Sequence, residues 1–427
     1  MKNIIKGIIL GILILLCLPG KAFGFGESQA RALSLGGAYT TLAKGFEASL
    51  WNPANLGIPK GWKSSYNLFS LGARIGNNSI SLKDYNSYNG TFLDDNDKEK
   101  IISSIPQDGL NLNGDFEGIF PGASYGPFAL TTGIMGASNL SISKDPFHLL
   151  LFGNSLNEKT TFDGTEGENY ILWDVAFSYG RSFSKRGNSA KGGSSSGGKE
   201  FFVGGNLKWL KGLFYQKVTK AKGEVLTLAT GIEGEGDFAL KSATGGYGFS
   251  FDLGFASLIG ERITIGACFF NLLNNLKWNK GTKEHGYRVI IDSLTAENSD
   301  DDSVFLDEDY EKDIGSFNTH LPTIFRAGFS YKLRKATLSL DWEQGFEERA
   351  GSSKTPKISF GSEYHLLNWL PLRGGLTLGG KEKFAFSWGS GLDLKPFFID
   401  FGMRTQNAFL PNYGKGLALA ISSGLKF

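Results

Sequence analysis

Bulky apolar residues occupy every second position in several stretches of this chain, and this pattern restricts the possible folds more than any other feature. In 417–427, bulky residues alternate with small or polar ones, such as Leu419 with Ala420 and Ile421 with Ser422. The same period recurs in 171–183, 247–255, 325–333, 336–343, 384–395 and 397–404. A period of two residues is typical of a β-strand with two different faces. Together with weaker stretches, the pattern predicts about 14 to 16 strands.

The second face of these strands is rich in glycine, serine and alanine, and this favours a membrane barrel over a soluble β-sandwich. A sandwich also alternates, but its outer face usually carries many charged residues and threonines. The sequence has 59 glycines and 35 phenylalanines in 427 residues, and after residue 24 it has no apolar segment long enough for a membrane-spanning helix. A closed barrel is the other structure that satisfies every backbone group in lipid. We therefore predict an all-β fold: a transmembrane antiparallel β-barrel of about 14 strands, within a range of 12–16.

The N-terminus has the features of an export signal. Lys2 and Lys6 precede an apolar run at 8–18, and the small-residue site Ala22-Phe23-Gly24 follows. This run is shorter than the roughly 20 apolar residues of a membrane-spanning helix. We therefore expect cleavage after Gly24 rather than a permanent anchor.

The predicted organisation has three parts. A signal peptide occupies 1–24, an N-terminal segment occupies 25–60, and a barrel occupies 61–427. The expected location is the bacterial outer membrane, with membrane lipid as a partner.

Weaker strand candidates and loops complete this organisation. The candidates lie near 64–74, 78–85, 117–134, 200–211, 223–231, 262–271, 357–364 and 372–379, and a short helix is possible at 94–104. Outer-membrane barrels have short periplasmic turns and longer outward loops. If Phe427 ends in the periplasm, the turns at 333–336 and 394–397 lie there too, and the long segment 272–321 is an outward loop. The glycine- and serine-rich segment 184–199 is expected to be a flexible exposed loop.

The last residues resemble an assembly signal. Phe427 closes an alternating strand, and Gly424 lies three positions before it. This arrangement is similar to the C-terminal β-signal that the outer-membrane barrel-assembly machinery recognises. The resemblance therefore implies that machinery as a partner.

Two short motifs carry a family resemblance. The first lies near the N-terminus and comprises Gly36, Gly37 and Ala38, followed further along by Asn52, Pro53 and Ala54. The second comprises Leu321, Pro322, Gly328 and Tyr331. Both are similar to motifs of the outer-membrane long-chain fatty acid and hydrocarbon transporter superfamily, the FadL-like proteins.

This resemblance implies a particular architecture and route. The barrel would have 14 strands, and 25–60 would form a plug, or hatch, inside it. Substrate would pass from an external pocket past the movable hatch and leave sideways through the wall. The alternative for 25–60 is a periplasmic tail with an incidental turn.

The sequence argues against an enzyme, a metal site and a nucleic-acid partner. The acidic segment 292–313 lacks the glycine that a calcium-binding EF-hand loop needs, and a solvated outer loop explains it better. Segment 375–382 is similar to a phosphate-binding loop, but Glu382 replaces the Ser or Thr, and the segment joins two strands. The histidines show no metal-ligand spacing; they are His148, His285, His320 and His365. The net charge is only +2. We expect no catalytic residues, no metal and no cofactor.

The predicted function is passive passage of hydrophobic small molecules, of the fatty acid or hydrocarbon class, through a plugged barrel. The alternative is a structural or secretion-associated outer-membrane barrel that binds a partner protein and transports nothing. One observation separates the two hypotheses. A continuous apolar pocket in the lumen, closed by 25–60, would favour transport of a hydrophobic ligand. Filling of that space by charged or bulky side chains would favour the alternative.

Overall fold

A computed structural model describes residues 28–59, 62–183, 199–298, 301 and 303–427. The predicted signal peptide at 1–24 lies outside the described residues, as does nearly all of the predicted loop at 184–199. Within the described part of the chain, no helix is long and apolar enough to cross a membrane.

Nineteen strands are described, and most of them are long. They are β1 (Ser64–Asn77), β2 (Leu110–Tyr125), β3 (Phe128–Ile142), β4 (Lys159–Thr161), β5 (Glu166–Ser182), β6 (Lys199–Leu228), β7 (Gly231–Ala243), β8 (Gly245–Ile259), β9 (Ile263–Lys280), β10 (Lys283–Leu294), β11 (Phe305–Asp313), β12 (Phe317–Thr319), β13 (Ile324–Lys332), β14 (Ala336–Gly345), β15 (Lys357–Leu367), β16 (Leu370–Gly379), β17 (Lys383–Asp393), β18 (Phe397–Gln406) and β19 (Gly416–Lys426).

Helices are few and short among the described residues. The α-helices are α1 (Ala30–Ser34), α2 (Ala48–Trp51), α3 (Leu82–Tyr88), α4 (Asp95–Ser104) and α5 (Asp145–Phe152). Short 3-10 helices occur at Gly45–Glu47, Pro53–Gly57 and Pro411–Tyr413. The helix predicted at 94–104 is confirmed: the Asp94 side chain accepts a hydrogen bond from the backbone of Asp97 and caps α4.

Fourteen of the strands form one closed antiparallel barrel, in the order β1, β2, β3, β5, β6, β8, β9, β13, β14, β15, β16, β17, β18 and β19. The last strand pairs with the first, from Ser65 opposite Lys426 to Gly76 opposite Gly416. This pairing leaves no free edge in the barrel wall. The predicted fold class and strand number are confirmed.

The outward face of the barrel consists of the predicted apolar residues. Leu71, Phe177, Phe249 and Phe401 are about half exposed, at 53%, 51%, 50% and 49%. In contrast, neighbours such as Asp400 point inward and are buried. The bulky residues therefore cover a cylinder instead of meeting between two stacked sheets, as the alternation predicted.

Two sequence predictions are wrong in detail. The strand candidate at 78–85 instead contains the start of α3, because Ser81 and Asp84 form a reciprocal capping box. The long outward loop predicted at 272–321 is largely β-structure. The distal half of β9 leads into β10, which pairs with both β7 and β11. This sheet lies beyond the barrel wall, where strands need no apolar alternation, so its sequence contained no clear strand signal.

The two ends of the barrel differ. One end, which we call the turn end, carries short turns near 126–127, 260–262, 333–335 and 394–396. The other end, which we call the loop end, carries the helices α3, α4 and α5 and the sheet of β7, β10 and β11. In outer-membrane barrels the short turns face the periplasm, so we expect the turn end to face the periplasm.

Candidate functional site

The lumen of the barrel is occupied by residues 28–59, which we call the plug segment. Its residues are mostly buried, and Tyr39 and Phe46 are fully enclosed at 0% exposure. The helix α1 is followed by a turn in which Gly36 and Gly37 have φ angles of +68° and +87°. Glycine adopts this left-handed conformation without steric cost. Ala38 follows this turn and is also fully buried.

The predicted motif of Asn52, Pro53 and Ala54 forms a turn that is bonded to the barrel wall. The Asn52 Oδ1 accepts a hydrogen bond from the Ala54 amide at 3.1 Å, and its Nδ2 donates to the Phe255 carbonyl of β8 at 2.9 Å. A second asparagine, Asn55, donates to two backbone carbonyls in 40–43, at 3.0 Å each. These bonds join two parts of the plug segment and fix one side of it to the wall.

Replacing Asn52 should loosen this attachment. In an Asn52→Ala variant the Ala54 amide and the Phe255 carbonyl lose buried partners, and we expect a loss of about 1–3 kcal/mol. Hydrogen exchange at the Ala54 amide and the thermal midpoint of the folded barrel would measure it. Asn275→Ala is the matched control, because Asn275 is exposed and no hydrogen bond of its side chain is described. Equal shifts in the two variants would contradict the assigned role of Asn52.

The wall glycines explain how the plug segment fits against the strands. At seven described glycines of the wall, an added Cβ would lie closer than 3.0 Å to a plug atom; they are Gly180, Gly204, Gly254, Gly361, Gly375, Gly389 and Gly402. The first three face the turn at 52–57, whereas Gly375 faces the backbone of Leu35 and Gly36. The small inward residues predicted from the sequence therefore accommodate a second layer of protein.

Buried ion pairs surround the plug segment. Arg31 of α1 binds Glu363 with its Nε and Nη2, both at 2.8 Å. The same carboxylate accepts a bond from Arg373 at 2.7 Å, and Arg373 also binds Asp400 at 2.6 Å. All four side chains are largely shielded from solvent, with Arg31 the most exposed at 17%. Such pairs require well-satisfied geometry, because burial of a charge is costly.

A second group of polar contacts holds the middle of the plug segment. The Asp341 Oδ2 accepts hydrogen bonds from the backbone amides of Tyr39 and Thr40, at 3.0 and 2.8 Å. The Tyr39 hydroxyl donates to the Glu47 carboxylate at 2.6 Å. Burial raises the pKa of Glu47 above its ordinary range, although the positive charge of Lys426 opposes this shift. Several of these contacts join residues far apart in the chain, and the sequence contained no signal for them.

The second predicted motif lies in the wall, beginning where β12 leads into β13. The Asn271 side chain donates to the Pro322 carbonyl at 2.9 Å, which fixes the backbone next to Leu321. Further along β13, Gly328 lies against the plug segment, while Tyr331 pairs with β14. The motif therefore marks the entry into a wall strand and the strand itself. Any further role of these residues stays a prediction.

The residues of the predicted assembly signal lie at the seam between the first and last strands. Gly424 is opposite Asn67, and an added Cβ would collide with the Tyr66 carbonyl. The Phe427 amide donates to the Ser64 carbonyl at 2.9 Å, and the Phe427 side chain is exposed. This placement is compatible with a recognition signal, which stays a prediction.

Apolar side chains fill the lumen towards the loop end, and we call this group the upper cluster. It consists of Met135, Ala137, Tyr170, Leu172, Leu210, Tyr215, Ala243, Leu276, Trp278, Leu321 and Ala350, with Phe317 packed against it. The connection 346–356 between β14 and β15 contributes Ala350, which is fully buried in the cluster. Arg349 fixes this connection by binding Glu168 at 2.6 and 3.0 Å.

Among the cavities lined by described residues, three lie beside the plug segment, and they differ in size between its two sides. Towards the loop end, one of about 40 Å³ is lined by residues that include Asp174 and Lys208. Another of about 70 Å³ lies beside Arg74, Glu343 and Glu382. A much larger cavity of about 720 Å³ lies at the turn end. On the loop-end side, the described residues thus place charged side chains, such as those of Asp174, Lys208 and Glu382, in the lumen beside the plug segment.

The closed wall, the internal segment and the ion pairs that hold it define a closed 14-stranded β-barrel with an internal plug. Within that class, the chain belongs to a family described as "Family of unknown function (DUF5723)", whose model matches residues 53–402. No curated protein matches this chain in sequence.

Solved structures of hydrocarbon channels have the same fold. The toluene transporter TbuX of Ralstonia pickettii is 15% identical, with 95% of this chain and 99% of that chain covered and a TM-score of 0.50. The CymD monoaromatic hydrocarbon channel is 11% identical over 95% of this chain and 99% of that one, with a TM-score of 0.51. A Pseudomonas aeruginosa FadL homologue is 10% identical over 95% and 100%, with a TM-score of 0.49. The predicted resemblance to FadL-like barrels is confirmed at the level of the fold.

Proposed function

We propose that this protein is a gated outer-membrane channel for hydrophobic small molecules. The upper cluster carries the proposal, because it places aromatic and aliphatic side chains inside the lumen on the loop-end side of the plug segment. The ring of Tyr215 lies 5.3 Å from that of Trp278 and 5.5 Å from that of Phe317, between centroids. A ligand that separated these side chains would bury its own apolar surface, at about 25 cal/mol per Å². The toluene transporter and the monoaromatic hydrocarbon channel that share the fold support this ligand class.

The connection 346–356 would act as the lid of this site. Its position depends on the bidentate contact between Arg349 and Glu168, and Arg349 also donates to the His320 carbonyl at 2.9 Å. The Tyr170 hydroxyl donates to the Ala350 carbonyl at 3.3 Å. Opening of this lid would expose the upper cluster at the loop end without disturbing the barrel strands.

Passage beyond the upper cluster requires movement of the plug segment. Charged side chains of the described residues occupy the lumen around it in this conformation, and this observation favours the second candidate, a barrel that binds a partner protein and transports nothing. Transport is compatible with the same observation if the ion pairs around the plug segment break when it moves and form again when it returns. The two candidates therefore differ in whether any ligand crosses the membrane.

An uptake experiment separates the two candidates. Labelled toluene and labelled oleate would be given to cells in which the gene is deleted and to the same cells with the gene restored. We expect the deletion to slow uptake of at least one probe, and Arg349→Gln to accelerate uptake because the lid opens more often. Lys354→Gln is the matched control, since Lys354 is exposed in the same connection and no partner of its ammonium is described. Uptake of both probes unchanged by the deletion would overturn the proposal and leave the second candidate favoured.

A further inference from the structure

The turn end of the barrel contains a cavity that the proposed passage of hydrophobic molecules does not explain. This cavity, which we call the vestibule, has a volume of about 720 Å³ and lies between the plug segment and the ends of several strands. Its volume is within the range of about 300–1,000 Å³ that is usual for small-molecule sites. The plug segment lies between the vestibule and the upper cluster.

Cationic side chains predominate in the vestibule lining. Among the described residues, the cations that line it are Arg31, Lys44, Lys63, Arg181, Arg262 and Lys332. The lining also has two carboxylates, Glu261 and Glu363, and Glu363 is already bound by Arg31. This excess of positive charge attracts an anion, and a cleft with low-dielectric walls strengthens the attraction.

Lys44 is the most informative of these cations. Within the described part of the chain, no hydrogen bond or ion pair of its ammonium is present. Burial lowers the pKa of Lys44 to about 8; the positive charges of Arg31, Lys332 and Lys426 act in the same direction, and Glu363 opposes them. A partly buried ammonium without a partner is unfavourable, and a bound anion would relieve that cost.

Another part of the vestibule is apolar. Ile58 of the plug segment and Leu258 of β8 line it, and both pack against a buried cluster that contains Phe202 of β6. Lys332 and Glu363 belong to other strands, since Lys332 ends β13 and Glu363 lies in β15. The barrel order places β9 between β8 and β13. The apolar part of the lining at Leu258 and the cationic part at Lys332 are therefore separate regions of one cavity.

We propose that the vestibule binds a phosphate monoester of an amphiphile, with the phosphate beside Lys44 and Lys332 and the hydrocarbon chain against Ile58 and Leu258. A phosphate monoester carries a charge of about −1.5 to −2 at pH 7, whereas a carboxylate carries only one negative charge. The surplus of cations around Lys44 therefore favours the phosphate. The ester could come from the periplasmic leaflet of the membrane or from solution. This site is independent of whether the barrel transports hydrophobic molecules.

Binding of dodecyl phosphate to the purified full chain in a neutral detergent tests the proposal. We expect Lys44→Gln to weaken binding about tenfold or more, which corresponds to about 1.4 kcal/mol. Lys335→Gln is the matched control, because Lys335 is an exposed cation at the same end that does not line the vestibule. Lys332→Gln, at the exposed end of β13, provides a second variant if Lys44→Gln does not fold. Binding should also weaken as pH rises through about 8, where Lys44 loses its proton, and this pH dependence should disappear in Lys44→Gln.

Binding of comparison ligands shows which chemical class the vestibule prefers, and lipid retention shows whether the ligand comes from the membrane or from solution. Dodecanoate and inorganic phosphate should each bind more weakly than dodecyl phosphate, because neither combines the full phosphate charge with a hydrocarbon chain. A lipid with a phosphate monoester headgroup that is retained by the purified protein and lost in Lys44→Gln would support a membrane source, whereas binding of added dodecyl phosphate without a retained lipid would support a soluble source. Equal binding to Lys44→Gln and the unchanged protein, or equal binding of dodecanoate, would overturn the proposal.

Discussion

A Gly375→Val variant is expected to displace the plug segment and open the barrel. An added Cβ at this position would lie closer than 3.0 Å to the backbone of Leu35 and Gly36, and backbone atoms have no alternative rotamer. Overpacking of this kind costs about 1–3 kcal/mol when the surroundings can adjust. Here the easier adjustment is movement of the plug segment, because the wall is held by hydrogen bonds to the strands on either side.

The measurement for Gly375→Val is ion conductance of the protein in a planar bilayer, together with protease sensitivity of residues 28–59. We expect higher conductance and faster cleavage than in the unchanged protein. Gly374→Val is a closely matched control, since the neighbouring glycine has no atom within 4 Å of an added Cβ. If the two valine variants conduct equally, the close approach between wall and plug segment does not determine closure.

The alternation of bulky and small residues predicted the barrel because it is a local signal. Each strand must present apolar side chains to lipid at every second position. About ten consecutive residues are therefore enough to contain the pattern. The same reasoning failed for 272–321, where β10 and β11 lie beyond the barrel wall. Backbone pairing and cross-strand ion pairs, such as that between Lys312 and Glu284 at 2.6 Å, join β10 to β11. The exposed residues of this sheet are free to be acidic, as they are along Phe305–Asp313.

The candidate site was only partly predictable, because its contacts join distant parts of the sequence. The Asn52 and Gly36 motifs indicated a plug segment by resemblance. Nothing in the sequence paired Arg31 with Glu363, which lies 332 residues away, or Asp341 with the backbone of the plug segment. Such contacts depend on which strand faces which part of the plug segment, and period-2 patterns contain no information on that arrangement.

The structure gives a specific reason for the high glycine content of the barrel wall. Small inward residues are compatible with either a water-lined channel or a confined interior. In this structure several of the wall glycines are in close contact with a second layer of backbone, so they let the plug segment approach the wall. The polar side chains between them hold that layer in place. Closure of the barrel therefore depends on shape at the glycines and on charge at the ion pairs.

Removing a carboxylate from the buried ion pairs should cause the second large effect, a loss of stability. In Glu363→Gln, two guanidinium groups, those of Arg31 and Arg373, lose a shared buried carboxylate. Breaking a buried pair by removing one partner typically costs about 3–5 kcal/mol. Arg31→Met should cost less, because Glu363 then keeps its bond to Arg373 at 2.7 Å, and Arg373 keeps Asp400.

Urea unfolding of the protein in lipid vesicles, followed by tryptophan fluorescence, would measure these differences in the free energy of unfolding. Glu308→Gln is the matched control, because Glu308 is an exposed carboxylate of β11. Surface substitutions of this kind usually change stability by about 0.5 kcal/mol or less. The order of loss should thus be Glu363→Gln, then Arg31→Met, then Glu308→Gln. A Glu363→Gln protein as stable as the control would show that the charge of Glu363 contributes nothing to holding the plug segment, and the closure of the barrel would have to depend on packing at the glycines alone.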